Sequence, residues 1–260
     1  MKKIMVLIFI FTVHYCFAQQ QFQLAMPLMK YRSVFFADTA SFTINFNQPG
    51  SAVHYTLNGE EPTETDLLYK TPVIITQRTI VKAKAFSNSF AASETVTAEF
   101  IKDGKKIRQV SFSKPDDAYA TTNVSILNDN TGGNMNFKSG TWLGYKNDTV
   151  EINIELKKKE NINSVLVNIL QDENSWLFLP EQVLVYYYND KQKAFLPAGK
   201  KFFFSESPAA KKSSAKEIIL SQKIKTNTLK LIVLPLKKIP GWHPGKGNHA
   251  WLFIDEIKVY

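Results

Sequence analysis

Val150-Glu151-Ile152-Asn153-Ile154-Glu155-Leu156 places an apolar residue at every second position and a polar one between. Successive side chains leave an extended strand on opposite sides, so this period of two marks a strand with one face in a core and one in water. Residues 164–170 alternate in the same way, and 183–187, 217–220, 228–234 and 250–260 read as further strands. Upstream, Phe42-Thr43-Ile44-Asn45-Phe46, Val53-His54-Tyr55-Thr56-Leu57, 79–86 and 95–100 repeat the pattern. Their spacing of about ten residues, broken by Gln48-Pro49-Gly50, Asn58-Gly59 and Glu60-Glu61-Pro62-Thr63, is that of a small β-sandwich. No long helical period interrupts these strands, which argues against an αβ-barrel or doubly wound enzyme.

The expected fold class is therefore all-β, with two sandwich domains. The polar stretch Lys102-Asp103-Gly104-Lys105-Lys106 marks the boundary, giving domains over residues 19–101 and 106–260. Loops 128–145, 171–180 and 237–249 are long and rich in Asn, Gly and aromatics, and such loops on a rigid sandwich are where binding function sits. Residues 204–216, rich in Ser, Ala and Lys, read as a flexible surface loop.

Residues 1–18 have the form of an export leader. Lys2 and Lys3 are its basic start, residues 4–13 its apolar segment, and Ala18 the small residue at the cleavage position. That segment is too short for a membrane-spanning helix, which needs roughly twenty residues. Cys16 offers a second reading, acylation to a membrane anchor, but bulky Tyr15 before it favours soluble export to the periplasm or the cell exterior. Removing the leader takes the only cysteine with it and lowers the formal charge from +9 to +7. The exported chain then has no disulfide, so its core or a metal must stabilise it. Its basic surplus suits acidic glycans or an anionic surface, although Lys157-Lys158-Lys159 and Lys211-Lys212 read first as solvated turns. No nucleic-acid-binding motif is present.

Two family resemblances attach to these residues. Val53 to Leu57, Asn58-Gly59-Glu60-Glu61-Pro62-Thr63, Leu68-Tyr69, Pro72-Val73-Ile74-Ile75 and Ile80-Val81-Lys82-Ala83-Lys84-Ala85-Phe86 resemble the Ig-like chitobiase/β-hexosaminidase C-terminal module, with Asn58 for the usual Asp. The second half resembles the coagulation factor 5/8 type C, or discoidin-like, module grouped with family 32 carbohydrate-binding modules. Leu127-Asn128-Asp129-Asn130, Thr141-Trp142-Leu143-Gly144-Tyr145 and residues 150–156 carry that likeness, with Asn130 for Gly and Glu155-Leu156-Lys157 for Asp-Leu-Gly. Gly241-Trp242-His243-Pro244-Gly245-Lys246-Gly247 followed by 250–257 looks like the C-terminus of bacterial exo-β-N-acetylhexosaminidases. Together they imply the accessory tail of a family 20 glycosidase without its barrel, a discoidin-like jelly roll following an Ig-like sandwich. The implied partners are glycans containing N-acetylglucosamine or galactose, and a glycoside hydrolase.

Family 20 enzymes use an adjacent Asp-Glu pair, and the chain has two, Asp172-Glu173 and Asp255-Glu256. The second lies in an alternating strand, where its side chains are expected on opposite faces. The first lacks the family's surrounding motif, and two sandwiches leave no room for a barrel of about 250 residues. Beyond the leader there is no cysteine and no Gly-x-Ser-x-Gly turn, and the histidines are His54, His243 and His249. The expectation is a protein without a catalytic site.

Sugar rings stack on flat apolar faces, and their hydroxyls need fixed polar partners. Among loop aromatics, Trp142 and Trp251 read as plugs of the sandwich core, whereas Tyr145, Phe178, Trp176 and Trp242 are candidates for stacking. Asp172, Glu173 and Asn174 precede Trp176, and His243 and Lys246 follow Trp242, as candidate hydroxyl partners. The expected ligand-binding set is Trp176, Trp242, His243, Tyr145, Asn174 and His249. The discoidin-like resemblance further implies a structural Ca²⁺ held by Asp129 and Glu256, with oxygens from Asn128 and Thr131.

Overall fold

The computed structural model describes residues 22–205 and 208–260. The leader reading therefore lies outside the described residues. Among these residues all regular structure is β apart from two short 3-10 turns, Asp117–Tyr119 and Glu173–Ser175, and no helix is long and apolar enough to cross a membrane.

The first domain has eight strands: β1 Leu28–Tyr31, β2 Phe35–Phe36, β3 Ala40–Asn45, β4 Ser51–Thr56, β5 Leu67–Leu68, β6 Val73–Ile75, β7 Thr79–Ser87 and β8 Val96–Lys102. They form a sheet in the order β1-β3-β6 and another in the order β2-β8-β7-β4-β5. Alternate residues of the two inner faces, among them Phe42, Ile44, Val53, Val81, Ala83, Ala85 and Phe100, make one core. Phe42 and Phe100 stack at 5.8 Å in that core. The expected turns are present: Gly50 and Gly59 both have positive φ, which a side chain would strain.

Seven strands make the second domain: β9 Ile107–Phe112, β10 Leu143–Tyr145, β11 Val150–Gln171, β12 Gln182–Asn189, β13 Ala194–Phe202, β14 Lys212–Leu234 and β15 Leu252–Val259. β11 and β14 pair antiparallel from Val150↔Val233 to Gln171↔Lys212, with register shifts between Glu155 and Glu160 and between Ile162 and Ser164. Residues 152–156 of β11 also pair with β9, whereas 165–170 pair with β15. β14 pairs with β12 over its last turns of chain, and β13 closes that edge. The long ribbon thus turns a corner at its irregular register and supplies strands to both layers of the sandwich. Ile152, Ile154, Val183, Leu231 and Val233 from one layer meet Val165, Val167, Ile169, Leu252 and Ile257 from the other. Each fully buried aliphatic side chain contributes about 1.5–3 kcal/mol, so this core is the main source of the domain's stability.

Three readings of the sequence need correction. Residues 150–156 and 164–170 are one bent strand, joined through the exposed Lys157-Lys158-Lys159 at the corner. Residues 212–216 are the start of β14, paired with 167–171, and not part of a loop. Asp255 and Glu256 do not alternate. Ile254 and Ile257 both point into the core, and the register against β11 slips between Val167 and Ile169, so a bulge turns both carboxylates away from that core, where they stay buried.

The two domains are packed against each other. Phe35 and Ile101 of the first bury against Leu166 of the second, with Ala215 and Tyr260 alongside. Arg78 bridges Glu99 at 2.8 Å and Glu217 of β14 at 2.7 Å. The connecting stretch is held closely: Lys105 N donates to Val259 O at 2.7 Å, and a Cβ at Gly104 would stand 2.0 Å from that same oxygen. Only glycine fits there.

Candidate functional site

Past β11 the chain turns back on itself, and its backbone sets Trp176. Asp172 N and Leu177 N each donate to the other's carbonyl at 3.0 Å. Between them the 3-10 turn Glu173–Ser175 ends on Trp176, whose φ of +65° is left-handed, a conformation rare for a bulky residue. The strain is held in place by a neighbouring segment: Trp251 N donates to Trp176 O at 2.8 Å and Phe178 N to Trp251 O at 3.1 Å. The half-buried indole lies against the backbone of Gly245, where a Cβ would come within 2.8 Å of its Cε2.

Two groups lock the facing loops together. The Glu173 carboxylate, 3% exposed, accepts from Gln171 Nε2, Ser205 Oγ and Ala209 N, each at 2.8 Å. His243 Nδ1 accepts from Gly245 N at 2.9 Å, so its ring proton sits on Nε2, which donates to Glu173 O at 2.9 Å. Asp172 is likewise spent inward, on Lys211 Nζ at 2.8 Å and Ser175 Oγ at 3.0 Å. Phe178 lies beneath, with edge contacts to His243 at 5.4 Å and a tilted contact to Trp242 at 6.2 Å. Trp176, Trp242 and His243 thus converge, and both tryptophans are half-buried while Asn174 and Lys246 are exposed beside them.

Other expected members of this set fall elsewhere. Tyr145 is completely buried in the core, its hydroxyl has no partner among the described residues and burial pushes its pKa up, so it cannot stack on a sugar. Its edge strand, β10, turns the ring inward against β15. His243 is present but both its nitrogens are engaged, and Asp172 and Glu173 face the protein, leaving Asn174 and Lys246 as the exposed polar neighbours. Phe178 is buried beneath the indoles. His249 Nε2 pairs with Asp148 Oδ1 at 2.9 Å instead of joining the tryptophans.

Trp142 fills the core as expected, donating Nε1–H to Asn134 O at 2.7 Å. Trp251 is a different case. It is half-buried, with Tyr119 edge-on at 5.1 Å and the Lys146 ammonium 5.5 Å above its ring. Its position at the very start of the last strand was the signal that it sits at the domain's rim.

At the expected cation site, Glu256 is paired with a lysine. Asp129 closes its own loop, accepting from Thr131 N at 2.8 Å and Asn123 Nδ2 at 2.7 Å. Asn128 N donates to Ser125 O at 2.7 Å within that loop. Asn130 takes positive φ (61°), which Asn tolerates better than most residues. Glu256 Oε1 accepts from Asp129 N at 3.0 Å, and its Oε2 lies 2.8 Å from Lys258 Nζ, an ion pair not aligned as a hydrogen bond. The same ammonium reaches Asp103 Oδ1 at 2.9 Å and Asn130 Oδ1 at 2.7 Å. Burial pushes Glu256 up to about 7, while Lys258 pulls it down. Asp255, also raised well by burial, accepts from Asn168 Nδ2 at 2.6 Å and from Gly133 N. Among the described residues no cluster of three or more His, Cys, Asp or Glu converges to hold a metal, and Asp129 and Glu256 with a lysine between their loops do not fit Ca²⁺.

Comparison with known proteins gives the following. A family model described as "Fn3 associated" matches residues 42–100, in the first domain. No curated protein matches the chain. Among solved structures, the family 32 carbohydrate-binding module of Streptococcus pneumoniae EndoD is 13% identical, with a TM-score of 0.39 over 61% of this chain and 96% of that one. The family 32 module of C. perfringens NanJ, solved with galactose, is 12% identical, with a TM-score of 0.37 over 58% and 91%. The lectin-binding domain of Lectinolysin, solved with Lewis b, is 18% identical, with a TM-score of 0.37 over 60% and 92%. At these values the likeness does not determine what this chain binds.

Proposed function

We propose that this chain is an exported, non-catalytic glycan-binding protein that grips sugar at the loop end of its second domain through Trp176 and Trp242. The observation that carries the reading is the pair of half-exposed indoles, held by loops already locked through Glu173 and His243. Aromatic faces fixed before binding lose little conformational entropy when a sugar docks, which favours affinity. Exposed Asn174 and Lys246 supply hydroxyl partners, and the basic surplus favours acidic glycans. In this reading the first domain is the chitobiase/β-hexosaminidase type of Ig-like module, the second is of the family 32 type, and the ligands contain N-acetylglucosamine or galactose. A glycoside hydrolase is the natural companion, outside the cytoplasm.

A second reading has a specific observation behind it. Trp242 and Trp176 make edge contacts with His243 at 5.5 and 6.4 Å, so they already have a packing role. The domains would then be spacers against a hydrolase or a surface assembly. A glycan array separates the two. Binding by the wild type that is lost in both Trp176→Ala and Trp242→Ala supports the first. Binding unchanged in both variants, or none in the wild type, refutes it. Turnover of a chromogenic N-acetylglucosaminide by the purified protein would refute the non-catalytic part.

A further inference from the structure

We infer that the Lys258 ammonium is the built-in counter-ion of the 128–134 loop, so the second domain reaches its full stability without a divalent cation. Lys258 is 1% exposed, far below what its charge allows unless it is fully paired. Three oxygens surround its nitrogen at 2.7–2.9 Å: Asn130 Oδ1, Glu256 Oε2 and Asp103 Oδ1. The Asn130 contact is a hydrogen bond, and the two carboxylate contacts are ion pairs at charged N···O separations. Ca²⁺ instead gathers six to eight oxygens at about 2.3–2.6 Å, and the ammonium already takes Glu256 Oε2, one of the oxygens that such a shell would need.

The elements that Lys258 joins show what the pairing does. Asn130 belongs to the loop, Asp103 to the connection between domains, and Glu256 to the bulge of β15. The Phe35 ring of the first domain lies 5.6 Å from the nitrogen, within cation–π range. One lysine therefore ties the loop, the connector and the first domain to the last strand, as a bound metal would. Lys258 faces the Glu256 and Asp103 carboxylates, Asp103 is also paired with Lys106 at 3.3 Å, and Asp129, held by Thr131 N and Asn123 Nδ2, adds a negative charge beside Glu256.

Thermal unfolding of the full chain tests this. The wild type is expected to melt at the same temperature in EDTA and in millimolar CaCl₂. Lys258→Met, which keeps the length and removes the charge, is expected to melt roughly 10 °C lower, since it leaves the buried Glu256 carboxylate without its cation, whereas Asp103 keeps Lys106. Adding Glu256→Gln to Lys258→Met removes that stranded charge and should recover a large part of the loss. A wild-type melting temperature that falls in EDTA or rises with CaCl₂ overturns the inference. So does a double variant no more stable than Lys258→Met, which would make the lysine mere packing. If Lys258→Met does not fold, calorimetric titration of the wild type with CaCl₂ decides: no binding heat supports the inference, and saturable binding overturns it.

Discussion

Replacing Glu173 by alanine should both destabilise the protein and weaken its grip on glycans. The carboxylate accepts three hydrogen bonds at 2.8 Å while almost fully buried, so truncation strands Gln171 Nε2, Ser205 Oγ and Ala209 N at once. Hydrogen bonds to a charged acceptor contribute about 1.5–3 kcal/mol each and are not additive, which puts the loss on the order of 4 kcal/mol. For a chain of this size that corresponds to a melting temperature lower by roughly 10 °C. Glu173→Gln should fall between, because its amide oxygen still accepts but its NH₂ faces a donor it cannot satisfy. Denaturant unfolding gives the order wild type, Gln, Ala. Hydrogen exchange should show faster opening at 208–211 and 240–245, the loops that this residue holds. Equal stability of Ala and wild type would refute the view that Glu173 pre-organises the tryptophans.

Other outcomes follow from particular contacts. Gly133→Ala puts a Cβ 2.1 Å from the buried Trp142 ring and should cost at least about 3 kcal/mol in denaturant unfolding. Gly245→Ala meets only the half-exposed Trp176 ring and His243, so stability should change by less than about 1 kcal/mol while glycan affinity falls as the indole is displaced. The Glu217 carboxyl loses solvent by burial, yet hydrogen bonds from Ser164 and Arg78 hold it below its usual value. A group with a depressed folded value stabilises above its unfolded value and loses that contribution as pH falls through the folded one. Stability should therefore decline below about pH 4, and Glu217→Gln should flatten that decline in urea titrations between neutral and acid pH.

Much of this was legible in the sequence, and the exceptions have physical causes. The period of two located β3, β4, β7, β12 and both halves of β11, because each has one face in a core. The continuity of β11 was hidden because its corner is a run of exposed lysines with no buried side. Residues 212–216 carry no apolar alternation, and their pairing with 167–171 is what makes them a strand. Alternation also misplaced Glu256, since a bulge breaks the period. The three-residue spacing between Ile254 and Ile257 carried that information. At the loop end, Trp176 and Trp242 could be named from composition, but Tyr145 could not be told from them, because inward and outward aromatics look alike until register is known. Lys258 looked like an ordinary strand lysine. Only the meeting of residues 103, 130 and 256 in space gives it a role.

The tryptophans themselves offer the most direct test of sugar binding at the loop end. The chain has four, and replacing Trp142 and Trp251 by Phe leaves Trp176 and Trp242 as the indole emitters. Titrating that variant with N-acetylglucosamine, galactose and oligosaccharides containing them should shift its emission in a saturable way. The reciprocal variant, Trp176→Phe with Trp242→Phe, should remain unresponsive. A response confined to the reciprocal variant would move the site to Trp251 and contradict the account, as would no response from either variant to any of these sugars.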